Sequence, residues 1–274
     1  MDKKIYIVLV LYKQKWQDVP SRVCLENLIR KEKGTLLIYD NSPAKQSNPF
    51  FLETHVTYVH DASNPGLAVA YNKALAAAAD FDWLILLDQD TAVTSAYFEE
   101  INNTTPDEQV AALVPLIFSG NQQISPVYSE QYIGKGAKHP HVGVHTHVMA
   151  INSASVLRIA FLKEVGGFNQ EFSLDFLDHW LYWRIQKEGM QVQVLKTVLV
   201  HDLSVLDYDT LDFSRYESIL IAERRYYSEY AVALKKQHQN HLLKRTLKQF
   251  LTVKNRRFWK RTFNEWRQLL GGKR

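Results

Sequence analysis

Cysteine is almost absent from this chain: Cys24 is the single one in 274 residues. No intramolecular disulfide can form, and no multi-cysteine metal site fits. Long hydrophobic runs are missing too. The apolar stretch Ile5–Leu11 falls far short of the roughly 20 residues that a spanning helix needs, no small-residue cleavage site follows it, and no other segment approaches that length. The expected location is therefore the cytoplasm. Neither G-x-G-x-x-G nor G-x-x-x-x-G-K-[ST] occurs, which removes most of the case for a dinucleotide oxidoreductase or a P-loop NTPase. Acidic residues are scarce in one region only. Residues 231–274 hold 13 Lys/Arg and one acid, Glu265, whereas residues 1–230 hold 20 bases and 28 acids. A net charge of +4 thus hides an acidic body and a basic tail.

What is present reads as a folded globular chain, with 46% hydrophobic and 23% charged residues. The charge break predicts a body over 1–230 and an appendage over 231–274. The body is organised around Asp82-Trp83-Leu84-Ile85-Leu86-Leu87-Asp88-Gln89-Asp90. Its apolar run is too short for a helix and apolar on both faces, so 83–87 reads as a buried strand. Asp88 and Asp90 then leave the sheet at its carboxyl edge, where ligands bind in open α/β sheets. Alternate residues of an extended chain point the same way, so both carboxylates can converge on one hard cation. An acidic turn that merely ends a strand is the plain alternative.

Around this strand, 4–11, 35–39 and 56–59 read as further strands. Pro20 opens a helix carrying Val23, Leu25, Leu28 and Ile29, which Gly34 stops, and the Ala-rich stretch 67–79 forms another. The resulting β-α-β-β-α-β order predicts an α/β fold, a mostly parallel sheet flanked by helices. Three strand ends offer polar groups at one edge: Tyr12, Asp40 and the Asp88/Asp90 pair. Such an edge suits a nucleotide, with an aromatic for the base, a carboxylate for an imino group and a metal for the diphosphate. Gly66 at a helix start adds backbone N–H groups.

Further along, 110–118 reads as a strand that Pro115 ends early or confines to an edge. The polar stretch 119–147 holds His139, His141, His145 and His147, whose spacing matches no tetrahedral zinc pattern, and reads as a flexible loop over the site. The segment 153–165 reads as a helix, and 191–195 and 197–200 as two short strands. Asp178 falls at the start of a helix with apolar positions 177, 180, 181 and 185, where a carboxylate is also favoured simply as a cap. His201 follows the last strand.

In this order the pieces resemble inverting glycosyltransferases of family 2, which share the GT-A fold, and within them a bacterial rhamnosyltransferase-like group. The resemblance runs from Ile5 to Tyr227. It rests on Val8-Leu9-Val10-Leu11-Tyr12, Ile38-Tyr39-Asp40-Asn41-Ser42, Asn64-Pro65-Gly66 with Asn72, and Leu87-Asp88-Gln89-Asp90. Val165-Gly166-Gly167-Phe168, Asp175 through Arg184, His201 and Glu223-Arg224-Arg225-Tyr226-Tyr227 complete it. The resemblance implies that Tyr12 and Asp40 hold the base and that Asn64, Gly66 and Asn72 lie near ribose and diphosphate. It implies that Asp88 meets ribose or a metal-bound water, that Asp90 and His201 ligate Mg²⁺ or Mn²⁺, and that Asp178 is the base, with Asp175 in reserve. The implied reaction moves a hexose, with rhamnose first, from a dTDP- or UDP-sugar to a hydroxyl of a lipid-linked glycan in surface polysaccharide synthesis. Lys13, Trp180 and the missing glycine at Ser204 depart from the group and leave the sugar and acceptor open. A nucleotidyltransferase is the competing enzyme, and an inactive membrane-bound scaffold the competing non-enzyme.

In the tail, Leu243, Leu247, Phe250 and Leu251 share one helical face, as do Trp259, Phe263, Trp266 and Leu270. Lys244, Arg245, Lys248, Arg256, Arg257, Lys260 and Arg261 fill much of the remainder. That pattern suits a helix lying in an anionic membrane interface, giving an enzyme peripheral to the inner face of the cell membrane. Packing of the stripe on the body and a homodimer contact are the alternatives. Nucleic acid is not an expected partner, since no recognised motif accompanies the charge.

Overall fold

The computed structural model describes residues 3–134, 136–201, 208 and 211–270. The chain folds as two compact units: Met1–Tyr128 with Gly136–Asp202, and Ser129–Lys135 with Leu203–Arg274. Among the described residues no helix is long and apolar enough to cross a membrane.

The first unit is built on a sheet. Its strands are β1 (Ile5–Leu11), β2 (Thr35–Asp40), β3 (Val56–His60), β4 (Trp83–Asp88), β5 (Thr91–Ala92), β6 (Val110–Ser119), β7 (Gln122–Ser125), β8 (Val127–Tyr128), β9 (Gly143–His145), β10 (Val148–Met149), β11 (Val156–Arg158) and β12 (Gln191–His201). Its helices are α1 (Arg22–Arg30), α2 (Leu67–Ala77), α3 (Ser95–Asn103), α4 (Ile159–Glu164) and α5 (Leu177–Lys187). The main sheet runs β3-β2-β1-β4-β11-β6-β12-β5, with β7 on β6 and β9 on β12. β3, β2, β1 and β4 are mutually parallel, and so are β6 and β12. Every residue of β1 is buried, as expected of a parallel strand covered on both faces. The Ala-rich α2 buries Ala68, Ala70 and Ala74 completely, so its backbone approaches the sheet closely.

Four local readings change in three dimensions. The stretch 153–165 is not one helix: β11 enters the sheet antiparallel between β4 and β6 before α4 begins. Val156 and Leu157 are fully buried there, and two ladders outweigh helix propensity. Pro115 neither ends β6 nor marks an edge, since β6 lies between β11 and β12. It falls at a bulge, where β12 passes from Val194 opposite Val114 to Val198 opposite Leu116. The bulged N–H groups of Lys196 and Thr197 donate instead to the Glu100 carboxylate at 2.7 and 2.8 Å, so a proline costs no ladder bond here. The two short strands expected over 191–200 are thus one strand with this bulge. Finally, 119–147 is not a bare loop but contributes to β6 through β9.

The second unit is helical: α6 (Phe213–Arg225), α7 (Lys235–Thr252) and α8 (Arg257–Leu270). Tyr216 and Leu220 of α6 share a core with Leu242, Val253, Phe258 and Leu269. The boundary expected after Tyr230 therefore differs from the observed division, because α6 buries its apolar side with α7 and α8. Charged groups are also buried here, in company with arginines. Arg245 forms two bonds to Glu223, at 2.7 and 2.8 Å. Fully buried Glu265 meets Arg261 at 2.7 Å and Arg224 at 3.3 Å.

Candidate active site

The parallel registers bring the acidic strand ends together. Leu11 at the end of β1 lies opposite Asp40 on β2, and Val10 lies opposite Asp88 on β4. Tyr12 follows β1 with its side chain 41% exposed, and its N–H donates to Gln89 Oε1 at 2.7 Å. Gln89, the middle residue of the acidic triplet, thus ties two strand ends. Ser153 Oγ accepts from Asp88 N–H at 3.0 Å and bonds Thr91 Oγ1 at 2.6 Å, fixing both flanks of that turn. Neither Gln89 nor Ser153 carried a local signal, because each acts across the sheet.

The expected nucleotide residues divide in two. Tyr12 and Asn64 are exposed at this edge. Asp40 is completely buried: its carboxylate accepts from Ser42 N–H at 2.9 Å, Gln46 Nε2 at 2.9 Å and Tyr58 Oη at 2.7 Å. It orders the turn after β2. Beside that turn, Lys13, Lys15 and Lys45 help line a cavity of about 610 Å³ with Trp16 and Gln46. Asn72 grips the backbone of Phe168, donating to its carbonyl and accepting from its N–H, both at 2.8 Å.

Gly66 acts through closeness. Its φ is +95°, and a Cβ there would stand 2.3 Å from the Ser173 carbonyl oxygen. That carbonyl accepts from Leu67 N–H at 2.6 Å and Ala68 N–H at 3.4 Å. The first donors of α2 are therefore engaged by the chain itself rather than turned outward as expected. This contact docks the segment that leads into α5.

Asp178 lies in the first turn of α5, and the cap position belongs to Phe176 in the left-handed conformation, with no side-chain bond. Asp178 is therefore not the N-cap. Its Oδ1 accepts from His179 N–H at 2.8 Å and Nδ1 at 2.9 Å, and its side chain is 23% exposed. Burial alone would raise its pKa, but the charge and hydrogen bonds of His179 outweigh that and hold it below the usual range.

Asp88, Asp90 and Asp178 converge electrostatically on Tyr71 of α2, whose buried hydroxyl donates to Asp88 Oδ1 at 3.3 Å. Burial first, and then the charges of Asp90 and Asp178, push Asp88 up to about 7 against the opposing bond from Tyr71. Tyr71 is a site residue that the Ala-rich helix pattern concealed. Asp88 and Asp90 offer the oxygen donors that a hard divalent cation takes, and the charge of Asp90 adds to the burial that raises Asp88. No group of three His, Cys, Asp or Glu side chains gathers into a ligand set among the described residues. The backbone of His201 pairs with Thr91, one residue beyond Asp90, while its side chain lies outside the described residues. Of the histidine cluster, His141 and His145 pack edge to face at 4.5 Å.

A mostly parallel sheet with acidic residues where its fourth strand leaves is the architecture of GT-A glycosyltransferases, and solved structures agree. A crystal structure of S. aureus TarS 1-349 superposes with a TM-score of 0.57 at 13% identity, over 97% of this chain and 80% of that one. One of GalNAc-T7 with UDP, GalNAc and Mn²⁺ gives 0.56 at 14% identity, over 84% of this chain. The match spans about half of that protein's length, 49%. The sequence pattern of glycosyl transferase family 2 matches residues 22–166, and the chain belongs to that family. No curated protein matches it in sequence.

Proposed function

We propose that this glycosyltransferase is a metal-dependent inverting hexosyltransferase. Its donor is a dTDP- or UDP-sugar, with rhamnose the first candidate, and its acceptor is a hydroxyl of a lipid-linked glycan at the inner face of the cell membrane. The observation that carries the reading is the convergence of Asp88, Asp90 and Asp178 beside Tyr71, which leaves Asp88 at about 7. Like charges that push a buried carboxylate up in this way are relieved when a bound cation supplies positive charge.

Each residue then has a task. Tyr12 offers an exposed ring to the base, and Asp40 shapes the base-side turn through Ser42, Gln46 and Tyr58. Asn64 lies beside the ribose and diphosphate. Gly66 and Asn72 serve that region indirectly, by docking 173–176 and the turn at Phe168. Asp90 and Asp88, with His201 as a third ligand, would hold Mg²⁺ or Mn²⁺, which supplies charge to offset the departing diphosphate. Asp178 is ionised at neutral pH and accepts the acceptor's hydroxyl proton, while His179 fixes its orientation through Oδ1. In-line attack at C1 then inverts the anomeric centre without a covalent intermediate, and Asp175 is the reserve base.

Calorimetric titration of UDP and dTDP with Mn²⁺ or Mg²⁺, and then with EDTA, tests the proposal. Metal-dependent binding of one nucleotide supports it and names the donor family. Failure of both nucleotides to bind in any condition overturns it in favour of a scaffold that retains the fold without its chemistry.

A further inference from the structure

The helices of the second unit bury polar groups among their apolar core, and α7 leaves a row of large apolar side chains exposed. α7 turns His238, Leu242, Thr246 and Gln249 inward, and α8 turns Phe258, Thr262, Glu265 and Leu269 inward. Inside, hydrogen bonds link Tyr216, Gln249 and Thr262, with Gln249 Nε2 2.7 Å from the Tyr216 hydroxyl and Thr262 Oγ1 2.7 Å from Gln249 Oε1. Outside, Leu247 is 57% exposed, Phe250 49% and Leu251 79%. Phe250 packs edge to face on Trp259 at 5.3 Å, and Phe263 stacks on Trp266 at 5.5 Å. Half-buried Trp259 borders the exposed row of α7 through its contact with Phe250, whereas Trp266 packs on the core. Apolar area of this kind costs free energy in water and marks a surface built for another phase or partner.

The charges sort in the same direction. Arg245 and Arg261 turn toward Glu223, Glu217 and Glu265. Lys244, Lys248, Lys254 and Lys260 form no ion pair among the described residues. Lys260 instead lies 5.9 Å from the Trp259 ring. Flexible, strongly hydrated lysines bordering an aromatic and leucine patch match a layer with anionic headgroups above hydrocarbon. A protein partner would also cover the patch, but it would have to bring acids to every lysine on the rim.

We propose that the outer face of α7 docks the chain onto an anionic lipid bilayer, with Leu243, Leu247, Phe250 and Leu251 entering the interface and Lys244, Lys248 and the neighbouring Lys260 meeting lipid phosphates. The surface deepens the reading of a lipid-linked acceptor, yet stands on observations separate from the catalytic edge. Flotation of the full chain with phosphatidylcholine vesicles, with and without phosphatidylglycerol, tests it. Binding should need phosphatidylglycerol and weaken with salt. Lys244→Gln, Lys248→Gln and Lys260→Gln should each weaken it on the order of fivefold, and all three together about 100-fold. Leu247→Asp with Leu251→Asp should abolish it while titrated nucleotide binding stays as in the parent. Equal flotation of parent and variants, or none by the parent, would overturn the proposal. So would a dimer in sedimentation velocity that Leu247→Asp with Leu251→Asp dissociates, since that assigns the patch to a second copy. Parent protein that floats but binds neither nucleotide keeps the membrane surface and removes the transferase reading.

Discussion

The two units treat buried charge in opposite ways. In the helical unit, Glu223 and Glu265 are buried only in company with Arg245, Arg261 and Arg224. In the sheet unit, Asp88 is surrounded by the like charges of Asp90 and Asp178, and its pKa rises to about 7. The first arrangement gives each buried carboxylate an arginine and serves stability. The second sets like charges on Asp88, and in the proposed reading a bound cation offsets them. A buried carboxylate met by arginine holds structure, whereas one raised by neighbouring like charges is a candidate for chemistry.

The largest expected effect lies at the catalytic edge. Asp178→Asn should lower transfer about a thousandfold while leaving titrated nucleotide binding near the parent value. Unchanged turnover would remove Asp178 as the base and bring Asp175 forward. In the helical unit, Arg245→Met leaves Glu223 buried without its partner and should cost about 3–5 kcal/mol by denaturant unfolding. A cost below about 1 kcal/mol would show that this pair is less essential than its two bonds suggest.

Gly66→Ala strains a positive φ and drives a methyl group against the Ser173 carbonyl. It should cost on the order of 3 kcal/mol and increase hydrogen exchange in 173–178. Uniform protection there would mean that the segment docks without the close approach.

Acid should sharpen the contrast with the smallest change. Asp88 is raised, so the fold holds a proton that the unfolded chain has already released, and lowering the pH from about 7 toward 4 stabilises the metal-free sheet unit. Burial pushes His238 down to about 4. The unfolded chain takes up that proton from about pH 6.5, so the same acidification removes stability from the helical unit. Hydrogen exchange of metal-free protein at about pH 5 and about pH 7.5 should show protection moving in opposite directions. Parallel changes would contradict the assignment of these two groups.

The alternation of apolar runs and helical stretches in the sequence indicated the strands through β4 and the helices between them, because a buried parallel strand and an Ala-rich helix leave periodic signals along the chain. Asp88 and Asp90 were legible for the same reason: they interrupt an apolar run at a predictable edge. Tyr71 and Ser153 were not, since each reaches the site from a segment distant in sequence, and the role of Gln89 was hidden because its partner, the Tyr12 N–H, follows a different strand. Asn72 and Gly66 were singled out through the resemblance as lying near ribose and diphosphate, but their partners in the fold, Phe168 and Ser173, were invisible.

Local sequence by itself determined that this protein has an α/β body with an acidic strand end and a basic amphipathic tail, because hydrophobic period and charge density are properties of neighbouring residues. Only the tertiary structure decided that β11 reverses into the centre of the sheet and that a bulge excuses Pro115. It also decided which side of α7 and α8 turns inward. That choice depended on Thr262 and Gln249 bonding across helices and on Glu265 meeting Arg224 of α6, and such long-range contacts overrule the apolar stripe that a single helix presents.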